Sequence, residues 1–167
     1  MFELKPLSLA AVPAALAKAE RYRLLNEPGQ SESICEDVLR ADPGNHQALV
    51  TLILALSDDL AHHHGRSLAR ARELVAQLPT EYERLYYSGL LAERQGRALL
   101  GHGGPPAHAS AGWLREAMEA FERAEALRPA DNDEARLRWN ACARLFNEQP
   151  SLLVDMDEDE RSPITGE

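Results

Sequence analysis

An all-α fold is what this sequence predicts, on three observations. Ala, Leu, Glu and Arg dominate the chain, and these residues lose little freedom when a helix forms. β-branched residues are few, no stretch alternates apolar and polar residues over a strand's length, and no Asn-Gly or Asp-Gly pair joins two apolar runs. Pro and Gly gather between segments of helical periodicity. The chain has 167 residues, of which 44% are hydrophobic and 27% charged, which fits one globular domain. A body of about 150 residues buries roughly 70% of its unfolded surface, so it needs no disulfide or metal to hold it.

Each helix announces its ends. The first spans about Ala10–Leu25 and stops at Asn26-Glu27-Pro28-Gly29. The second is expected over Ser31–Ala41, with Ser31 as its N-cap and Asp42-Pro43-Gly44-Asn45 as its stop. The third, Gln47 to about Ala61, holds the run Ala48–Leu56, apolar on all sides apart from Thr51, so it should pack on more than one face. A fourth covers Ser67–Leu78 before Pro79, and a fifth Glu81–Gln95, with Gly96 read as a left-handed cap. Gly101–Gly112 carries so much Gly and Pro that it reads as irregular: a flexible insertion or, less simply, a lid. The sixth helix then runs Trp113–Leu127 to Pro129. The seventh occupies about Asn132–Asn147, with Ala135, Trp139, Cys142 and Phe146 on one face. Gln149-Pro150 is expected to end the folded part, giving a helical domain over residues 1–148, an insertion at about 99–112, and an acidic tail over 149–167.

Spacing suggests a repeat. Pro43 and Pro79 close the second and fourth helices 36 residues apart, and Pro79 to Pro129 is 50, which returns to 36 once the 14 residues Leu99–Gly112 are removed. Within this frame, Tyr86–Gly96 with Gly89, followed by Ala117, Phe121, Ala124 and Pro129, resembles the tetratricopeptide repeat. An earlier unit with Ala19, Tyr22, Ser31, Cys35, Val38, Leu39 and Pro43 is similar, as is a middle one keeping Leu49, Leu52 and Leu56. The resemblance covers about residues 12–148. It implies antiparallel helix pairs stacked as a short right-handed solenoid of about three repeats, with the last helix, which has bulky Trp139 where a small residue is expected, as a cap. It also implies Gly89 close against the sixth helix, with Phe121 buried beside it.

Formal net charge is −9, which argues against nucleic acid, and no apolar run approaches the ~20 residues of a membrane span. Residues 151–167 hold six acids against Arg161, a net of −5, in a solvated tail or an acidic docking peptide. Cys35 and Cys142 lack partners at metal or redox spacing and read as buried hydrophobes of a reducing compartment. The apolar stretch Leu7–Ala17 ends in Ala-Leu-Ala, but Glu3 beside Lys5 and the break at Pro13 speak against a cleaved leader, so a cytoplasmic location is expected.

Chemistry-bearing motifs are sparse. Nucleotide-binding and nucleophile-elbow glycine patterns do not occur, and Gly101–Gly104 lacks a following Lys-Ser/Thr. His62-His63-His64 is the one metal-like feature, with Asp58 and Asp59 nearby. Adjacent helical side chains diverge by about 100°, so the three do not converge on one ion, and an exposed turn is the expectation. No cofactor, metal or catalytic group is therefore assigned. The repeat resemblance instead implies a non-enzymatic adaptor or assembly factor whose concave groove takes a partner's peptide or helix. By position the groove would hold Val50 and Leu54, then Tyr86, Leu90 and Arg94, then Arg136, Asn140 and Arg144; Val50 and Leu54 also suit ordinary core. The lysine–asparagine clamp of chaperone-binding members is missing, since its positions carry Leu16, Glu20, Thr51 and Tyr87. A self-associating structural protein, with homo-oligomers, is the second class of function, and a small metal- or ligand-binding enzyme using His62–His64 the third. The tail's Leu152, Leu153 and Val154 are candidates to bury against Tyr86 and Leu90, with its acids near Arg94, Arg136 and Arg144.

Overall fold

A computed structural model describes residues 2–61, 64–101 and 107–154. Its elements are α1 (Val12–Leu24), α2 (Pro28–Ala41), α3 (His46–Asp58), α4 (His64–Val75), α5 (Glu81–Gly101), α6 (Ala107–Ala126), α7 (Glu134–Glu148) and α8 (Ser151–Val154). Single 3-10 turns precede α1 and follow α3. Among the described residues there is no strand. The chain divides after Tyr87 into two compact units, and α5 contributes to both.

In the first unit, Val12, Leu16 and Ala19 face inward from α1 at helical spacing. Val12 and Leu16 join Val38 and Ala48 in one cluster, with Leu7, Ile34 and Leu39 packed against it. Asn26, at φ 59°, closes α1: its N–H reaches Arg23 O at 2.9 Å and that of Glu27 reaches Tyr22 O at 2.9 Å. This is the paired bonding of a left-handed helix stop. α2 starts at Pro28, not at Ser31, because Pro at the first helical position sacrifices no donor that the helix would use. Ser31 consequently sits inside the helix, fully buried, in line with Cys35 and Val38. Asn45 caps α3 by accepting from Ala48 N–H at 2.9 Å, and its amide donates to Asp42 at 2.9 Å. α3 packs against α1, α2 and α4, and buries Thr51, Leu52, Ile53, Ala55, Leu56 and Ser57. Across the surface, Arg70 of α4 bridges Glu32 and, at 2.5 Å, Glu36 of α2.

At the start of α5, Thr80 and Glu83 bond reciprocally. Thr80 Oγ1 accepts from Glu83 N–H at 3.2 Å, while Glu83 Oε2 accepts from Thr80 N–H at 3.2 Å and from its hydroxyl at 2.7 Å.

The second unit is built on close approach. A Cβ placed on Gly89 would lie 2.8 Å from the Phe121 ring and 3.2 Å from Ala117 O. One on Gly96 would lie 3.0 Å from Leu114 Cγ, and Ser110 Oγ donates to Gly96 O at 2.8 Å. Gly96 is therefore an interior contact of α5 and does not cap it; the helix continues to Gly101. α6 likewise begins at Ala107, so the part of the expected insertion from Ala107 to Gly112 is helical, driven by burial of Ser110, Ala111 and Leu114. Residues 102–106 of that insertion lie outside the described residues. Ala135, Cys142 and Phe146 of α7 are buried and Trp139 is half-buried. The fold also continues past Pro150: α8 packs on α6, Leu152 is 1% exposed, and Arg115 donates to its carbonyl at 3.3 Å. The apolar triplet thus anchors on α6 through Leu152, while Tyr86 and Leu90 are themselves buried and offer it no surface. The acids from Asp155 onward lie outside the described residues.

Candidate functional site

Within the first unit, a cleft of about 410 Å³ opens between α1 and α3. α1 supplies Glu20, Arg23 and Leu24, and α3 supplies His46, Gln47, Val50, Thr51 and Leu54 at spacings of three and four residues. Tyr87 of α5 closes it. Val50 and Leu54 are half-buried and make the floor apolar.

Polar groups around that floor are held in place. Gln47 Nε2 donates to Glu20 Oε1 at 2.8 Å, bridging the two helices. Arg23 Nε donates to Asp58 Oδ2 at 2.8 Å. Among the described residues the guanidinium makes no other side-chain bond, so its remaining N–H groups stay available to an acceptor. His46 Nε2 lies 2.6 Å from Glu83 Oε1. Burial pushes the Glu83 carboxyl up, yet the hydrogen bonds from Thr80 and His46 together outweigh it and hold that carboxyl below its usual range. Tyr87 stands edge-on to Tyr86, with ring centroids 5.1 Å apart, and Tyr86 stacks on Tyr82 at 6.0 Å.

No family model, no curated protein and no solved structure matches this chain.

Of the groove residues expected from the sequence, Val50 and Leu54 line this cleft. Tyr86 is buried, and the ring that reaches the cleft is its neighbour Tyr87. Leu90, 1% exposed, is core and offers no surface to a ligand. The other four belong to the second unit. Arg94 and Asn140 are half-buried and Arg144 is exposed. Arg136 is committed to Glu125 at 2.5 Å and Asp133 at 3.1 Å, where it ties the start of α7 back to the end of α6. It is a corner brace of the second unit. The positions Glu20, Thr51 and Tyr87, read as a missing clamp, do line the cleft, whereas Leu16 is core.

His62 and His63 lie outside the described residues, and His64 opens α4. Among the described residues no group of three or more His, Cys, Asp or Glu side chains is placed to hold a metal ion. Burial pushes Cys35 up to about 11 and Cys142 up to about 12, the latter with help from the Glu93 charge, so both stay protonated near neutrality. Glu93 is the group that sequence reasoning missed. It is 2% exposed and accepts from Arg97 at 2.9 Å and Arg138 at 3.3 Å, joining α5 to α7. The available signal was its position: it lies three and four residues from Leu90 and Gly89, on the buried stripe of α5. No helix of the described residues is long and apolar enough to cross a membrane.

Proposed function

We propose that this chain is a tetratricopeptide-like, non-enzymatic interaction module, and that the cleft between α1 and α3 receives an extended peptide or helix of a partner protein. The observation that carries the reading is the cleft's composition. Val50 and Leu54 form an apolar floor, with the exposed Leu24 and Arg23, Gln47, His46 and Tyr87 placed around it. An apolar floor anchors side chains, and a few fixed donors orient a backbone or a carboxylate. Arg23 gives a preference: a ligand carboxylate facing its remaining N–H groups would gain charge-assisted bonds. The helix pairing supports the repeat reading, since α1 touches α3 as well as α2, and Arg70 links α4 to α2. An adaptor or assembly factor needs no cofactor, and none is invoked.

The test uses photo-crosslinking amino acids at position 50 or 87, followed by sequencing of the adduct and calorimetry with the captured peptide. Leu54→Arg should weaken that peptide at least tenfold, about 1.4 kcal/mol, without lowering the melting temperature. Arg23→Gln should weaken only peptides bearing a carboxylate at the crosslinked end. Full affinity in Leu54→Arg would remove the cleft from the reading.

A further inference from the structure

α1 has a second face, distinct from the cleft and opposite its buried stripe. Ala14, Ala17, Lys18, Arg21, Tyr22 and Leu25 line a shallow depression of about 470 Å³ there. All but the half-buried Tyr22 are exposed, Leu25 at 60%. A helix at the edge of a stack ordinarily turns a polar face outward. This one shows apolar surface around two cations.

Those cations stand out in an acidic chain. Lys18 lies 5.9 Å from the centre of the Tyr22 ring. Neither Lys18 nor Arg21 enters an ion pair among the described residues, in contrast to Arg23 of the same helix, which is bridged to Asp58. Residues 1–25 hold four Lys and Arg against two acids, a net of +2; the other 142 hold 14 against 25, a net of −11. The densest run of that negative charge is Asp155-Met156-Asp157-Glu158-Asp159-Glu160. It follows directly on α8, which Leu152 fixes to α6.

We propose that the outward face of α1 docks the acidic segment Asp155–Glu160 of a second copy of this chain. Lys18 and Arg21 meet the carboxylates, and Met156 supplies the apolar contact to Tyr22 and Leu25. Exposed ion pairs are individually weak, so the apolar contact is needed and the association is salt-sensitive. The contact joins unlike surfaces, so it propagates head to tail and does not close as a symmetric pair by itself.

The experiment is sedimentation velocity and light scattering of the full chain over a concentration series, at low salt and at high salt. Self-association that grows with concentration and recedes in salt is expected. The variant Lys18→Glu/Arg21→Glu and, separately, a chain ending at Val154 should each be monomeric, with unchanged helical circular dichroism. Mixed together they should form a one-to-one complex and nothing larger, because the first keeps the acids and the second keeps the cationic face. Lys18→Gln/Arg21→Gln, a milder change, should weaken wild-type association by about tenfold. Four results would overturn the proposal: a wild-type chain monomeric throughout, self-association indifferent to both changes, a mixture with no complex, or a salt-sensitive contact between α1 and the acids of the same chain that persists at infinite dilution. Binding of α1 to anionic lipid vesicles in place of self-association would overturn it too. Each outcome is separable from the cleft reading, since no cleft residue is altered.

Discussion

The two units hold their helices together by different means. The first wraps α1, α2 and α4 around α3, whose Leu52, Ile53 and Leu56 fill the space, and fastens the outside with half-exposed pairs such as Arg70 with Glu32 and Glu36. The second brings backbones together at Gly89 and Gly96 and then ties α5 to α7 through the buried carboxylate of Glu93. Filling with large side chains tolerates a change of shape, because neighbouring rotamers readjust. Close approach at a glycine does not, because backbone and ring have nowhere to go. The second unit should therefore be the more brittle.

Gly89→Leu is the largest test of that contrast. It drives a side chain into the Phe121 ring and Ala117 O, and should cost about 3 kcal/mol. The melting temperature should fall by roughly 6–12 °C. The two buried thiols report which unit opens: Cys142 should label faster with a thiol reagent, while Cys35 keeps its wild-type rate. Equal acceleration of both would mean that the units unfold together and the contrast is false.

Glu93→Ala comes next. It strands Arg97 and Arg138, whose side chains are 43% and 36% exposed and still reach water, so the cost should be about 2 kcal/mol, less than for two sealed charges. Chemical denaturation measures it, and a loss under about 0.5 kcal/mol would make Glu93 a passenger.

In the first unit, the reciprocal bonding of Thr80 with Glu83 should be worth about 1 kcal/mol. The folded state holds the Glu83 carboxyl below its ordinary 4.5, despite burial, through Thr80 and His46. Its contribution is complete above the ordinary value and is lost as pH falls through the lower folded one. Glu83→Gln should flatten that acid limb of the stability curve, and an unchanged limb would assign it to other carboxylates. Arg70→Ala should do least, at most about 1 kcal/mol, because its pairs are solvated.

Helix positions were legible in the sequence because Pro and Gly punctuate them, and the Gly89–Phe121 contact was legible because the spacing of small and aromatic residues encodes it. Helix ends were less so. Gly96 carries the same composition signal whether it stops a helix or lets another approach, and only Leu114 and Ser110 across the gap decide. The start of α6 was hidden for a related reason: Gly112 lies on an open face with nothing within 4 Å, so it does not interrupt the helix. Only the floor of the cleft was legible. Val50 and Leu54 follow from periodicity, but two adjacent tyrosines differ by about 100° of helix rotation, and an error of one residue exchanges the buried ring for the accessible one. The pairing of Arg136 with Glu125 was not legible, because the two lie across a turn made by Asp131 at φ 60°, a non-glycine residue in a left-handed conformation that composition does not advertise.

The contact at Gly89 carries an evolutionary consequence. With 2.8 Å between a notional Cβ and the Phe121 ring, the volumes at these two positions are not independent variables. A sequence that keeps this helix pair and enlarges position 89 must shrink position 121 by a comparable amount, whatever happens elsewhere. The pair is thus a ledger of ancestry: in any set of descendants, glycine should travel with phenylalanine, and alanine with something smaller.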